Sequence, residues 1–245
     1  MVVLLGFSSS AQAVQIVWTD WTTFTGSIQG LCTMNGTMTT VTTTVDVTYT
    51  NEMGISFAQM GTNASEIDYW QNNRTGRDAA TSPHTSSFVD NIPTDTDIIA
   101  LRYQGLQTLS FSEAIANPVF AYVSLNENGY GFDQDFEILS FGHSSDGNDG
   151  GYWGTGTSYK SIVEVSPGIY EYRLLGTGEP HGAIRFTGTF DTVSWSSLSS
   201  ENWNGFTVGI EGTADEIFPI PEPATMLLLG SGLLGLFGFK RKRKV

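Results

Sequence analysis

The chain has 245 residues, with 25 Asp and Glu against 11 Lys and Arg, a formal net charge of −14 and 12% aromatic residues. Five of the eleven cations, Lys240, Arg241, Lys242, Arg243 and Lys244, stand at the end of the chain, so residues 14–221 hold 24 acids against 6 bases, a net −18. Such a body has no basic face to neutralise phosphates, which argues against nucleic acid and against adhesion to an anionic bilayer surface, and the single cysteine, Cys32, leaves stability to burial without an internal disulfide.

In chain order, residues 1–7 are an apolar run, followed by three serines and then Ala11-Gln12-Ala13, a small-x-small cleavage pattern. This reads as a secretory signal segment over 1–13, cleaved after Ala13; lacking a cationic start, it is expected to be truncated at its front. The competing reading is a buried first strand. Residues 14–217 are then almost wholly β in character. The clearest alternation is 40–49, where Val41, Thr43, Val45, Val47 and Tyr49 share one face. Further strands are expected at 15–18, 97–103, 108–112, 118–124, 132–141, 161–165, 169–174, 182–186, 191–195 and 205–212. Helix signals are confined to one short turn within 111–117, and Cys32 is expected to be buried in a strand. The polar stretch 60–93 reads as a surface loop or linker. Many short strands separated by turns predict an all-β, antiparallel β-sandwich of jelly-roll-like type.

Candidate chemistry falls in two places. Asp133, Asp135 and Glu137 would form a carboxylate row on a strand over 132–141, opposite Phe132, Phe136 and Ile138. A solvated face is the ordinary reading of such a row. It has a faint resemblance to the acidic strand of laminarinase-like and licheninase-like jelly rolls, but Asp133 stands where those families place a Glu and the flanking aromatics differ. No catalytic residue is assigned. The Gly-rich segment 143–153 offers Asp146, Asn148 and Asp149 as oxygen donors of the kind hard Ca²⁺ prefers, without EF-hand spacing. Tyr152 and Trp153 in the same segment are the candidate aromatic faces for a sugar ring; Trp195 and Trp203 read as core. His84, His143 and His181 show no metal-binding spacing.

The C-terminal segment is the most informative. Pro221-Glu222-Pro223 precedes sixteen uncharged residues, 224–239, and then the cluster Lys240 to Lys244. Two prolines keep 221–223 extended. Sixteen residues make a transmembrane helix of about 24 Å at ~1.5 Å per residue, short against a hydrocarbon core of ~30 Å. The cations place its end in the cytoplasm and the acidic body outside. Tripeptide, apolar helix and basic block together resemble the PEP-CTERM sorting signal of bacterial exported proteins. The resemblance implies an inner-membrane precursor, recognition by an exosortase-type processing enzyme, cleavage near the tripeptide, and delivery of the body to the cell surface or beyond alongside exopolysaccharide. Residues 111–212 also resemble the β-sandwich bodies often found with this signal, through Ala116-Asn117-Pro118-Val119, the Phe132 to Ser140 stretch, Gly151-Tyr152-Trp153-Gly154, Gly182 to Gly188 and Trp203 to Gly209. The expected protein is therefore a non-enzymatic surface or matrix component without a cofactor, calcium being the one candidate ion. The alternatives are a secreted glycan hydrolase or carbohydrate-binding module, and a permanently membrane-anchored protein.

Overall fold

The computed structural model describes residues 13–71, 82–126, 128–141 and 156–219. Its strands in chain order begin with β1 (Val17–Trp18), β2 (Asp20–Gly26), β3 (Cys32–Thr39), β4 (Thr44–Asn51) and β5 (Ile55–Gln59). They continue with β6 (Ile98–Leu101), β7 (Gly105–Ala116), β8 (Val119–Val123), β9 (Gly129–Phe132), β10 (Phe136–Phe141) and β11 (Gly156–Ser166). The last are β12 (Ile169–Gly178), β13 (Gly182–Phe186), β14 (Thr189–Ser197), β15 (Asn204–Ile210) and β16 (Gly212–Thr213), followed by a single turn of helix, α1 (Ala214–Ile217). The named strands form two antiparallel sheets. One has seven strands in the order β10-β13-β8-β15-β6-β5, with β1 on β15. The other has nine in the order β11-β12-β9-β14-β7-β4-β3-β2, with β16 on β7.

Sequence pattern explains why the sheets differ. In β3 and β4, Cys32, Met34, Met38, Val45, Val47 and Tyr49 are buried while the intervening Thr and Asp residues look outward, so the nine-stranded sheet has one dry and one wet face. In β6, β8 and β15 every residue is buried, because the seven-stranded sheet is covered on both faces. Between the sheets lies an aromatic core in which Phe120 meets Trp195 edge-on at 5.4 Å, Trp195 meets Phe206 at 4.9 Å and Phe132 meets Phe186 at 4.9 Å. On the outer face a second cluster joins Ile16, Trp18, Trp70, Val89, Ile98, Val119, Ala121, Val123 and Ala183. Trp70 and Val89 belong to the polar stretch 60–93, which thus contributes large apolar side chains to the cover of that sheet.

Three expectations are corrected. The stretch 132–141 is not one strand. β9 ends at Phe132 in the nine-stranded sheet, the chain bends at Asp133 and Gln134, and β10 starts at Phe136 in the seven-stranded sheet. The alternation of Phe and Asp looks strand-like, yet it marks a crossing between layers, and the carboxylate row on one strand face does not form. In 40–49, residues 40–43 make a turn, and Val41 is fully exposed. Residues 111–116 continue β7, and the one helical turn lies at α1 instead. Cys32 is buried on β3, as its surroundings predict.

Candidate functional site

The last described residues are tied firmly to the body before the chain passes into its C-terminal segment. β16 pairs with the end of β7, Gly212 opposite Ala116 and Thr213 opposite Ile115. Thr213 caps α1, with Glu216 N donating to its hydroxyl at 3.3 Å and Glu216 Oε2 accepting from Thr213 N at 2.8 Å, a complete capping box. The carboxylate does more than close its own helix. Its Oε1 accepts from Thr40 Oγ1 at 2.9 Å, from Thr42 N at 3.0 Å and from Thr42 Oγ1 at 2.5 Å, which fastens α1 to the β3–β4 turn. Gly212 leaves room for it: a Cβ there would stand 2.8 Å from Oε2. Partial desolvation would raise the Glu216 pKa, but the bonds from Thr42, Thr213 and Thr40 outweigh it and hold the carboxyl at about 2. Beyond this clamp Phe218 and Pro219, both exposed, are the last described residues.

Residues 219–243 match the family described as the PEP-CTERM protein-sorting motif. The chain carries this sorting signal. It is therefore an exported protein with a C-terminal sorting signal handled by an exosortase-type enzyme. The match begins at Pro219, one residue after the helix cap at Phe218, so folded body and sorting motif abut without an intervening linker. No curated protein and no solved structure matches the chain. Pro221, Glu222, Pro223 and Lys240 to Lys244 lie outside the described residues, as does the expected membrane helix 224–239. Among the described residues no helix is long and apolar enough to cross a membrane. At the other end, Ala11 is outside the described residues, and Ala13 is a half-buried residue ahead of the parallel bridge between Val14 and Val89.

The other sequence candidates are separated by the fold. Asp135 is paired with Lys160 at 2.8 Å and Glu137 with Arg185 at 2.9 Å, while Asp133 stands exposed in the bend. Asp135, Glu137, Lys160, Phe136, Ile138 and Phe190 line a shallow open depression between β10 and β11. His143, Asp146, Asn148, Asp149, Tyr152 and Trp153 lie outside the described residues. Within them, no group of three or more His, Cys, Asp or Glu side chains is arranged to hold a metal ion. Trp18, Trp21, Trp70 and Trp195 are buried and present no flat face to a sugar. Trp203 is half-buried against Tyr69 at 4.9 Å and Phe57 at 5.4 Å.

Sequence reasoning missed two buried polar centres. Asp97, immediately before β6, accepts from Trp21 N through Oδ1 at 3.3 Å, and its own carbonyl accepts from Trp70 Nε1 at 3.0 Å. Burial, reinforced by the negative charge of Asp20 and then of Asp95 and Glu66, pushes the Asp97 carboxyl up to about 7. His84 packs edge-on against Trp70 at 5.1 Å, and its Nδ1 lies 3.2 Å from Gly182 O. Burial first, and neighbouring His181 second, lower its pKa to about 3, so it is neutral at physiological pH. Neither residue stands in a recognisable sequence motif, and their burial arises from distant segments that meet only in the fold.

Proposed function

We propose that the protein is made as a membrane-tethered precursor, cleaved near Pro221-Glu222-Pro223, and released or transferred as a β-sandwich that serves a structural or matrix-interaction role at the cell surface, in company with exopolysaccharide. The observation that carries this reading is the position of the sorting motif directly behind the Glu216 clamp. A short extended segment between a closed domain and the bilayer is what a membrane-embedded protease can reach without unfolding its substrate. On this reading the apolar stretch 224–239 holds the precursor in the inner membrane, and Lys240 to Lys244 keep its end cytoplasmic.

The role is non-enzymatic and needs no cofactor. Support comes from the carboxylates: two of the three that invited comparison with glycan hydrolases are each engaged by a cation, and the strand that would align them is divided between two sheets. Carbohydrate contact through Tyr152 and Trp153 belongs to the same proposal, and so does Ca²⁺ at Asp146, Asn148 and Asp149. Replacing Pro221, Glu222 and Pro223 by alanine tests the sorting step in the producing cell. The expected result is uncleaved precursor accumulating in the membrane fraction. Normal release of the variant would refute the role assigned to the tripeptide.

A further inference from the structure

Strand β11 is eleven residues long and forms the free edge of the nine-stranded sheet, with β12 as its partner among the described strands. The β12–β9 ladder begins only at Tyr172, opposite Phe132, so Glu171, Tyr170 and Ile169 carry the hairpin past the end of its neighbour β9 by three rungs, about 10 Å at ~3.3 Å per residue. Thirteen large apolar side chains are exposed among the described residues. Five are in this one hairpin: Tyr159, Ile162, Val165, Ile169 and Tyr170, between 47% and 60% accessible. A long, unpaired, apolar edge is a template for another strand, and proteins ordinarily blunt such edges with lysine. The lysine of this edge, Lys160, donates to Asp135 Oδ1 at 2.8 Å and to Phe136 O at 2.9 Å on its own molecule, and the Asp135 partner is exposed enough for the ion pair to be exchanged.

The residues of the edge identify what fits it. Laid antiparallel against a second copy and centred on Ile162, the run Lys160-Ser161-Ile162-Val163-Glu164 is self-complementary: Lys160 faces Glu164, Ser161 faces Val163 and Ile162 faces itself. Moving the centre to Ser161 sets Lys160 against Ile162, and moving it to Val163 sets Glu164 against Ile162, so either shift leaves both charges without an opposite. The pleat puts Ile162 on the same face as Tyr172, its cross-strand partner, and Glu164 on the same face as Tyr170. Two isoleucines and four tyrosines would thus fill the space between two opposed Lys160 and Glu164 pairs, each lysine exchanging Asp135 of its own molecule for Glu164 of the second copy, whose Oε1 also accepts from Gly168 N at 2.8 Å.

The geometry points to homotypic edge pairing: two copies of this chain join through β11 in antiparallel register about Ile162, uniting their nine-stranded sheets into one. The contact goes beyond the sorting role and does not depend on it or on polysaccharide. The test is the Ile162→Cys variant of the full chain in detergent under mild oxidation. Cys32 is buried and does not compete. Directly opposed Cβ atoms in such a pair are roughly 4.5–5.5 Å apart, near enough for a disulfide after slight adjustment. A covalent dimer is expected from Ile162→Cys, while Thr23→Cys on the opposite edge strand β2 gives little. In the Ile162→Cys background, Glu164→Lys sets lysines opposite each other and is expected to lower the dimer yield about tenfold. Absence of a dimer, an equal yield from Thr23→Cys, or indifference to Glu164→Lys would each overturn the proposal.

Discussion

The seven-stranded sheet is buried on its inner face by aromatic side chains of the opposite sheet and on its outer face by loop segments that bring polar groups with them. Inward, Phe120, Phe206 and Phe186 meet Trp195, Tyr49 and Phe132. Outward, Trp70 and Val89 are accompanied by Ser82, His84 and the Asn91 amide that holds Ile16 N and O, with Asp97 beside them. The first layer draws its stability from area removed from water, which pH hardly touches. The second is closed by hydrogen bonds around ionisable groups, so its stability depends on their charge. The inner layer is therefore expected to set the stability of the body, and the outer layer its dependence on pH.

Trp195→Ala should break the inner layer. The ring contacts five aromatic neighbours and is 1% exposed, so its removal is expected to cost about 3–5 kcal/mol in urea unfolding. A loss under ~1 kcal/mol would mean that the aromatic core is not the main support. Asp97→Asn probes the outer layer. A carboxyl raised to about 7 in the fold and near 3.8 when unfolded favours the folded state fully below about pH 4, and that contribution is lost as pH rises through 7. The variant should therefore flatten the decline between pH 4 and 7 and gain roughly 1 kcal/mol at pH 8, well below the full shift because the Asp20 and Asp95 charges that add to burial are solvent-exposed. An unchanged melting profile across that window would contradict burial of the charge. His84, lowered to about 3, acts with opposite sign: its contribution is present above pH 6.5 and fades as pH falls, so His84→Gln should soften the acid limb.

The smallest effect is expected at the exit. Glu216→Ala removes the capping box and the tie to the β3–β4 turn, at about 1 kcal/mol confined to that end. Limited proteolysis should then cut beyond Glu211 several times faster, with the main unfolding transition almost unmoved. Because the Glu216 carboxyl is held at about 2, its contribution is intact above the ordinary carboxylate range and disappears as pH falls toward 2.

What could be read in advance follows from how local each signal is. β13 is found at the expected residues, and the alternation of Val45, Val47 and Tyr49 gives the buried face of β4 correctly, because period-2 patterning is written in adjacent residues. Of β3 the sequence marks only Cys32 as a buried strand residue, since Thr, Gly, Asn and Met hide an alternation that burial reveals, and β2 is unmarked because a bulge between Trp21 and Thr23 breaks its alternation. The turn 40–43 repeats the Thr and Val letters of the strand it precedes. The crossing at Asp133 and Gln134 preserves strand-like alternation through a change of sheet. The sorting motif was legible because its tripeptide, apolar run and basic block are contiguous. The Glu216 clamp was not, its threonines lying 174 and 176 residues away in sequence, and Asp97 acquires its environment only when Trp21 and Trp70 close over it.

The intact mass of the protein recovered from its producing cells tests the central claim most directly. A mass showing the chain ending near Pro223, with 224–245 removed, is what a processed sorting signal predicts. A mature chain that still carries Lys240 to Lys244 would contradict it.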